Sequence, residues 1–231
     1  MDKKYIIQDH DKKNWCFFIS NNHRIAYRYE QNGEWSSLYT VDSQMAKDFS
    51  AAVDPSGKIH LLVYTYTRHL IYYQWDGSQW LYNILEQIKS RFQNVTYLSI
   101  TSSKQYVNII YYVESSLYKN TETLVHYYGN GIEWKKGQIW RFASENLVVP
   151  QYTFVDLKDD IHLLYKFQRG KEVSLYYSKF EVKSLNWSNP IIIHTNIAGY
   201  NDTCLFVDKM QNIHVLWKEE ADGTHIIRYL S

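Results

Sequence analysis

The chain has 231 residues, enough for one large all-β domain or two small ones with a full core, and its 25 Lys and Arg nearly balance 24 Asp and Glu. A net charge of +1 with no long run of like charge argues against binding held mainly by electrostatics, so neither nucleic acid nor a membrane surface is an expected partner. The excess lies in aromatics, 22 Tyr, 8 Trp and 9 Phe against 9 Gly and 3 Pro, and such side chains suit a pleated, half-buried sheet surface.

At the N-terminus "MDKKYIIQDHDKKNW" holds three consecutive apolar residues, too few for a signal peptide. No later run approaches a membrane span, so a soluble, cytoplasmic protein is expected. Cys16 and Cys204 match no metal or redox spacing, a disulfide between them is left open, and no cofactor or metal is implied.

Further along, five strands share one pattern: "NWCFFIS", "KIHLLVY", "YVNIIYY", "DIHLLYK" and "NIHVLWK". Aligned on Cys16, His60, Asn108, His162 and His214, they are spaced 44, 48, 54 and 52 residues apart. A Tyr-rich strand follows each: "RIAYRYE", "LIYYQWD", "LVHYYGN", "SLYYSKF" and "HIIRYLS". In the first four copies a polar turn then leads to Trp35, Trp80, Trp134 or Trp187 and a further apolar segment. "NILEQIKSRF" has some helical periodicity but is short and uncapped.

Each copy therefore reads as four short strands, a to d, joined by turns. Four antiparallel strands repeated near every fifty residues describe a β-propeller blade, and a blade must pack on neighbours to bury both faces. The expectation is an all-β propeller of five blades in a single domain over 1–231, with repeats near 1–47, 48–95, 96–149, 150–201 and 202–231. The last copy stops after its Tyr strand. Residues 3–8, "KKYIIQ", are assigned to strand a of the first blade, which leaves the final blade with an open edge and suggests a homodimer formed through it.

In three copies an Asp stands six residues before a His: Asp54 and His60, Asp156 and His162, Asp208 and His214. The third copy has Ser102 and Asn108 there, the first His10 and Cys16. Catalysis demands one asymmetric constellation, whereas this pair returns three times, so a structural hydrogen bond is the reading. Metal binding is not expected, because equivalent positions in neighbouring blades need not converge.

The stretch "VDPSGKIHLLVY…LIYYQWDGSQW" resembles the repeat of Asp-box propellers, the sialidase-like family, most closely at Asp76-Gly77-Ser78-Gln79-Trp80. Asn32-Gly33-Glu34-Trp35 and Asn130-Gly131-Ile132-Glu133-Trp134 are degenerate forms, and only Asn186-Trp187 persists in the fourth copy. Five copies of this period are also similar to tachylectin-like lectins, which the resemblance describes as five-bladed propellers binding amino sugars between blades. The implied function is non-enzymatic, lectin-like carbohydrate binding. The alternatives are a protein-interaction scaffold and, less favoured, a sialidase-like glycoside hydrolase, for which no recognisable catalytic phrase exists. Sugars stack on aromatic rings, so the ligand-binding candidates are Trp35, Trp80, Trp134 and Trp187, with Tyr29, Tyr73, Tyr128 and Tyr177 one strand earlier. The competing reading packs those tryptophans between blades. Adjacent tyrosines such as Tyr72 and Tyr73 point to opposite faces, so one of each pair is surplus to one core.

Overall fold

The computed structural model describes residues 3–115, 121–143, 149–169, 172–195, 203–221 and 224–231, and every regular element among them is a β-strand. The sheets follow the copies in order, and each is antiparallel. The first holds β1 (Lys4–Gln8), β2 (Asn14–Ile19) and β3 (Ile25–Gln31), with β4 (Glu34–Trp35) and β5 (Tyr39–Thr40) both pairing with β3. The second runs β6 (Ala46–Val53), β7 (Ile59–Thr65), β8 (His69–Trp75), β9 (Trp80–Gln87). The third runs β10 (Gln93–Ser102), β11 (Val107–Ser115), β12 (Thr121–Gly129), β13 (Trp134–Ala143). The fourth holds β14 (Val149–Val155), β15 (Ile161–Arg169) and β16 (Glu172–Glu181), with β17 (Asn186–Trp187) and β18 (Ile191–Thr195) both on β16. The fifth has β19 (Thr203–Val207), β20 (Ile213–Ala221) and β21 (Thr224–Leu230). Residues 4–8 form the first strand of the first sheet, with Ile6 opposite Cys16 and Ile7 opposite Trp15. The helical periodicity near Asn83 yields to sheet pairing, since β9 runs through it.

Contacts divide the chain into two units, residues 1–114 with 123–140, and residues 115–122 with 141–231. In the first unit the second sheet is buried on both faces, and alternation along its strands sorts the residues. Leu61, Val63, Ile71 and Tyr73 join Trp15, Phe17, Ile25 and Tyr27 of the first sheet in one core. Leu62, Tyr64, Leu70 and Tyr72 join Ile109, Tyr111, Val125 and Tyr127 of the third sheet in another. In the second unit Leu164, Leu175 and Tyr177 pack on Leu205, Val215 and Trp217.

The a–b turns share one design. Oδ1 of Asp54 accepts from the backbone N–H of Ser56 and Lys58, at 2.8 and 2.9 Å. Asp156 does the same for Lys158 and Asp160, and Asp208 for Met210 and Asn212. Three residues after the Asp the backbone is left-handed, at Gly57 (φ 85°), Asp159 (φ 68°) and Gln211 (φ 70°). Gly is needed at the first of these, because a Cβ on Gly57 would stand 2.8 Å from the backbone N of His10.

Candidate functional site

One carboxylate in each hairpin serves two purposes. While Oδ1 organises the turn, Oδ2 faces the His two residues into strand b: His162 Nε2 and His214 Nε2 lie 3.2 Å from Asp156 and Asp208, and His60 Nε2 lies 3.3 Å from Asp54. The other ring nitrogen meets a phenol. Nδ1 of His60, His162 and His214 is 2.7, 2.8 and 2.6 Å from the hydroxyl of Tyr72, Tyr177 and Tyr229. Burial pushes His60 and His162 below the usual histidine range, with the facing carboxylate opposing that shift. Both imidazoles are therefore neutral at pH 7. Burial raises Asp54, but hydrogen bonds from Ser56, the Lys58 N–H and His60 outweigh it and hold the carboxyl below its ordinary value.

The first and third copies are variants. Ile7 opposes Trp15 as Ala52 opposes His60, so Trp15, not Cys16, holds the histidine position of the first sheet. Its Nε1–H donates to Asp9 Oδ2 at 2.8 Å, and Asp9 Oδ1 accepts from the Lys13 N–H. Alignment on Cys16 and His10 is thus one residue late, and in a strand that slip flips the face. In the third copy the turn is one residue shorter. Ser103, rather than Ser102, accepts the Gln105 and Tyr106 N–H groups, and Asn108 Oδ1 meets His126 Nε2 at 3.2 Å.

These variants open a cleft at one interface and close it at the other. Between the first and second sheets, Trp15 packs at 5.7 Å on Trp75, which packs at 5.2 Å on Trp80. Between the second and third sheets the Trp15 position is His60. The Trp75 position, five residues before the turn-closing Trp, is Gly129. Two indoles are thereby missing from the same place. A Cβ at Gly129 would lie 2.2 Å from the Glu133 carbonyl, so no side chain fits there.

The resulting cleft measures about 480 Å³, within the range of ligand sites. Its lining includes the buried His60 and Tyr72 and the half-buried Asp54 and Gln74. Tyr82 and Asn83 come from β9, residues 102–107 from the β10–β11 turn, and Asn130 to Ile132 from the β12–β13 turn. Tyr82 is 67% exposed, and Tyr106 packs edge-on against Tyr128 at 5.7 Å. Lys58 and Lys104 are exposed residues of the same lining.

The structure separates the aromatic candidates. Trp80 packs on Phe17 and Tyr27 of the neighbouring sheet, at 6.0 and 5.7 Å, and Trp134 packs edge-on against Tyr72 at 4.8 Å. Neither lines the cleft. Trp187 lies against Phe180 of its own sheet at 5.4 Å. Trp35 is exposed, with the Arg28 guanidinium 4.8 Å over its ring. Tyr29 stacks on Tyr39 and lies under Lys13. Tyr73 is buried, its hydroxyl donating to Asp42, and Tyr177 belongs to the Asp156–His162 chain. Tyr128 lies outside the cleft lining and packs on Tyr106 and His126. The residues that the sequence missed are Gln74, Tyr82, Tyr106, Asn130, Lys58 and Lys104, and the available signal was the exchange of Trp75 for Gly129 between copies. Among the described residues no cluster of His, Cys, Asp and Glu could hold a metal ion, and no helix is long and apolar enough to cross a membrane.

No family model and no curated protein sequence matches the chain. Solved structures do. An ulvan lyase of a polysaccharide lyase family, bound to -[GlcA(1-4)Rha3S]-, aligns with a TM-score of 0.67 at 11% identity over 99% of this chain and 66% of that one. The BP39L lectin from Burkholderia pseudomallei aligns at 0.64 and 12% identity, over 99% and 66%. Aleuria aurantia lectin in complex with alpha-methyl-L-fucoside aligns at 0.57 and 12% identity, over 100% and 78%. The chain thus spans roughly two thirds to four fifths of the length of these structures. Antiparallel sheets repeated in sequence order, together with this likeness, make the fold an all-β propeller.

Proposed function

We propose that this chain is a carbohydrate-binding propeller without catalytic activity, and that its ligand site is the cleft between the second and third sheets. The carrying observation is the cleft's composition, a hydrogen-bonding end at Tyr72 and Gln74 beside the rings of Tyr82 and Tyr106. A sugar presents an apolar face to a ring and hydroxyls to polar groups, so such a lining suits it. The lectin neighbours add support at the level of fold, which does not by itself assign a ligand. Of the repeated aromatic set, Trp35 is assigned to a secondary contact, since the residue is 41% exposed.

Titration with a panel of monosaccharide methyl glycosides, followed by chemical-shift mapping, tests the reading. Tyr82→Ala and Tyr106→Ala should each weaken binding roughly tenfold, about 1.4 kcal/mol, while leaving the unfolding midpoint in place. Binding that both variants leave unchanged would remove the cleft from consideration.

A polysaccharide lyase reading is favoured by one observation, the Tyr72–His60–Asp54 chain that lines the cleft. It is opposed by two. Burial lifts the Tyr72 phenol above its ordinary range, which makes it slow to yield its proton, and the same chain recurs at His162 and His214. Release of unsaturated uronide from a uronic-acid polysaccharide would reverse this order of preference.

A further inference from the structure

Beside its hydrogen-bonding end the cleft has an apolar one, built from both walls. Leu81 stands opposite Gln74 in the register of β8 and β9, so it shares the face that Gln74 and Tyr72 turn to the third sheet. Gly131 of the β12–β13 turn lies directly on the same pair, since a Cβ there would stand 2.9 Å from Gln74 Oε1 and 3.2 Å from the Tyr72 hydroxyl. The next residue is Ile132, 81% exposed, and Leu81 is 48% exposed. Both belong to the cleft lining, one from each wall. Ile132 is also held in place. Its N–H donates to Asn130 Oδ1 at 2.9 Å, and its carbonyl accepts from Asn83 Nδ2 at 3.4 Å.

Single exposed apolar side chains are ordinary on a protein surface. These two, however, are not called for by the repeat. Among the four copies with a turn-closing Trp, the residue after it is Ser36, Leu81, Lys135 or Ser188, so the second copy alone is apolar there. In the matching five-residue turn of the second copy the place of Ile132 is taken by Ser78, whose hydroxyl bonds Asp76 Oδ1 at 2.9 Å. Both changes from polar to apolar therefore line the one cleft, at the interface where two indoles are missing. An apolar side chain in water contributes nothing until it is covered, and covering it contributes in proportion to the area removed from water. We infer that the ligand of this cleft is a glycoside with an apolar aglycone, alkyl or aryl, which lies between Leu81 and Ile132 while the sugar meets the polar end. This rests on the proposed site and adds to it the class of group that the sugar carries.

Calorimetric titration of the intact chain with the methyl, n-hexyl and phenyl β-glycosides of glucose and galactose provides the test, with n-hexanol and phenol as sugar-free controls. The better of the hexyl and phenyl glycosides should bind about tenfold more tightly than the methyl glycoside of the same sugar, as covering about two methylenes would give. Which of the two leads separates a chain from a ring. The double variant Leu81→Gln, Ile132→Ser should bring that ratio to within about twofold, and Ile132→Ser alone should remove part of it. Both positions are exposed, so the fold is kept, and an unchanged urea midpoint checks it. Equal affinity for the methyl and the larger glycosides, a ratio that survives the double variant, or a sugar-free control that binds as tightly as its glycoside overturns the inference. If the methyl glycosides bind and Tyr106→Ala weakens them, the cleft stands and only the aglycone falls. If no glycoside binds, both fall together.

Discussion

Ser36 and Ser188 each follow the tryptophan that opens the last strand of their copy, and each stands in for part of a broken ladder. The Ser36 N–H donates to the Tyr29 carbonyl and its hydroxyl accepts from the Tyr29 N–H at 3.1 Å. Ser188 repeats the arrangement on Lys179, at 2.7 and 2.9 Å. In these two copies the strand is split, β4 from β5 and β17 from β18. In the second and third copies, where Leu81 and Lys135 follow the Trp, it runs on unbroken. We expect Ser36→Ala to cost about 1 kcal/mol, since the Tyr29 N–H is partly buried and loses its acceptor. Ser188→Ala should cost about half as much, because water reaches Lys179. Urea midpoints of the two variants check the ordering, and equal losses would show that the hydroxyls do not carry it. The Trp-Ser dipeptide was present in the sequence, yet it became legible only beside its Trp-Leu and Trp-Lys counterparts.

At the scale of elements, β21 is the outer strand of a three-stranded sheet and pairs only with β20 among the described residues. Its residues Ile227, Tyr229 and Leu230 are 77, 56 and 43% exposed. A strand edge with unpaired N–H and C=O groups and apolar side chains is a template for another strand. We propose that a second copy of the chain covers it. Light scattering should then report a dimer at high concentration, and Ile227→Lys, which places a charge on the edge, should return it to monomer without lowering the unfolding midpoint. A monomer at every concentration rejects the pairing. The placement of residues 4–8 as β1 follows from the order of apolar and polar residues, which matches the other a strands. The alignment on Cys16 does not, because period-two alternation lets a one-residue slip preserve every local propensity while inverting which face is buried.

For the molecule as a whole, the repeat was readable because four of the five copies solve the same problem, closing a hairpin with a carboxylate that also faces a ring of strand b. The cleft was not, because it arises from two absences in neighbouring copies, Trp15 becoming His60 and Trp75 becoming Gly129, and no single copy contains both. The buried rings carry a further consequence. Burial holds His60 and His162 below their unfolded values, and it pushes His126, whose Nε2 meets Asn108 Oδ1, down to about 3. In the unfolded chain these histidines take up protons near pH 6.5. The native state declines them, so stability is fully present above that value and is lost as pH falls below it. The depressed Asp54 adds loss in the same direction at lower pH, since its native contacts require the carboxylate. From His126 alone the loss between pH 6.5 and 4 is roughly 3 kcal/mol, at about 1.4 kcal/mol per pH unit. Urea midpoints should therefore be flat from pH 8 to 7 and decline steadily from 6.5 to 4. His126→Gln, which keeps an amide for Asn108 and removes the titration, should flatten part of that decline while costing some stability at pH 7. A midpoint that does not move between pH 7 and 5 would mean that these imidazoles accept protons in the folded state, and the neutral hairpin chains described above would have to be redrawn.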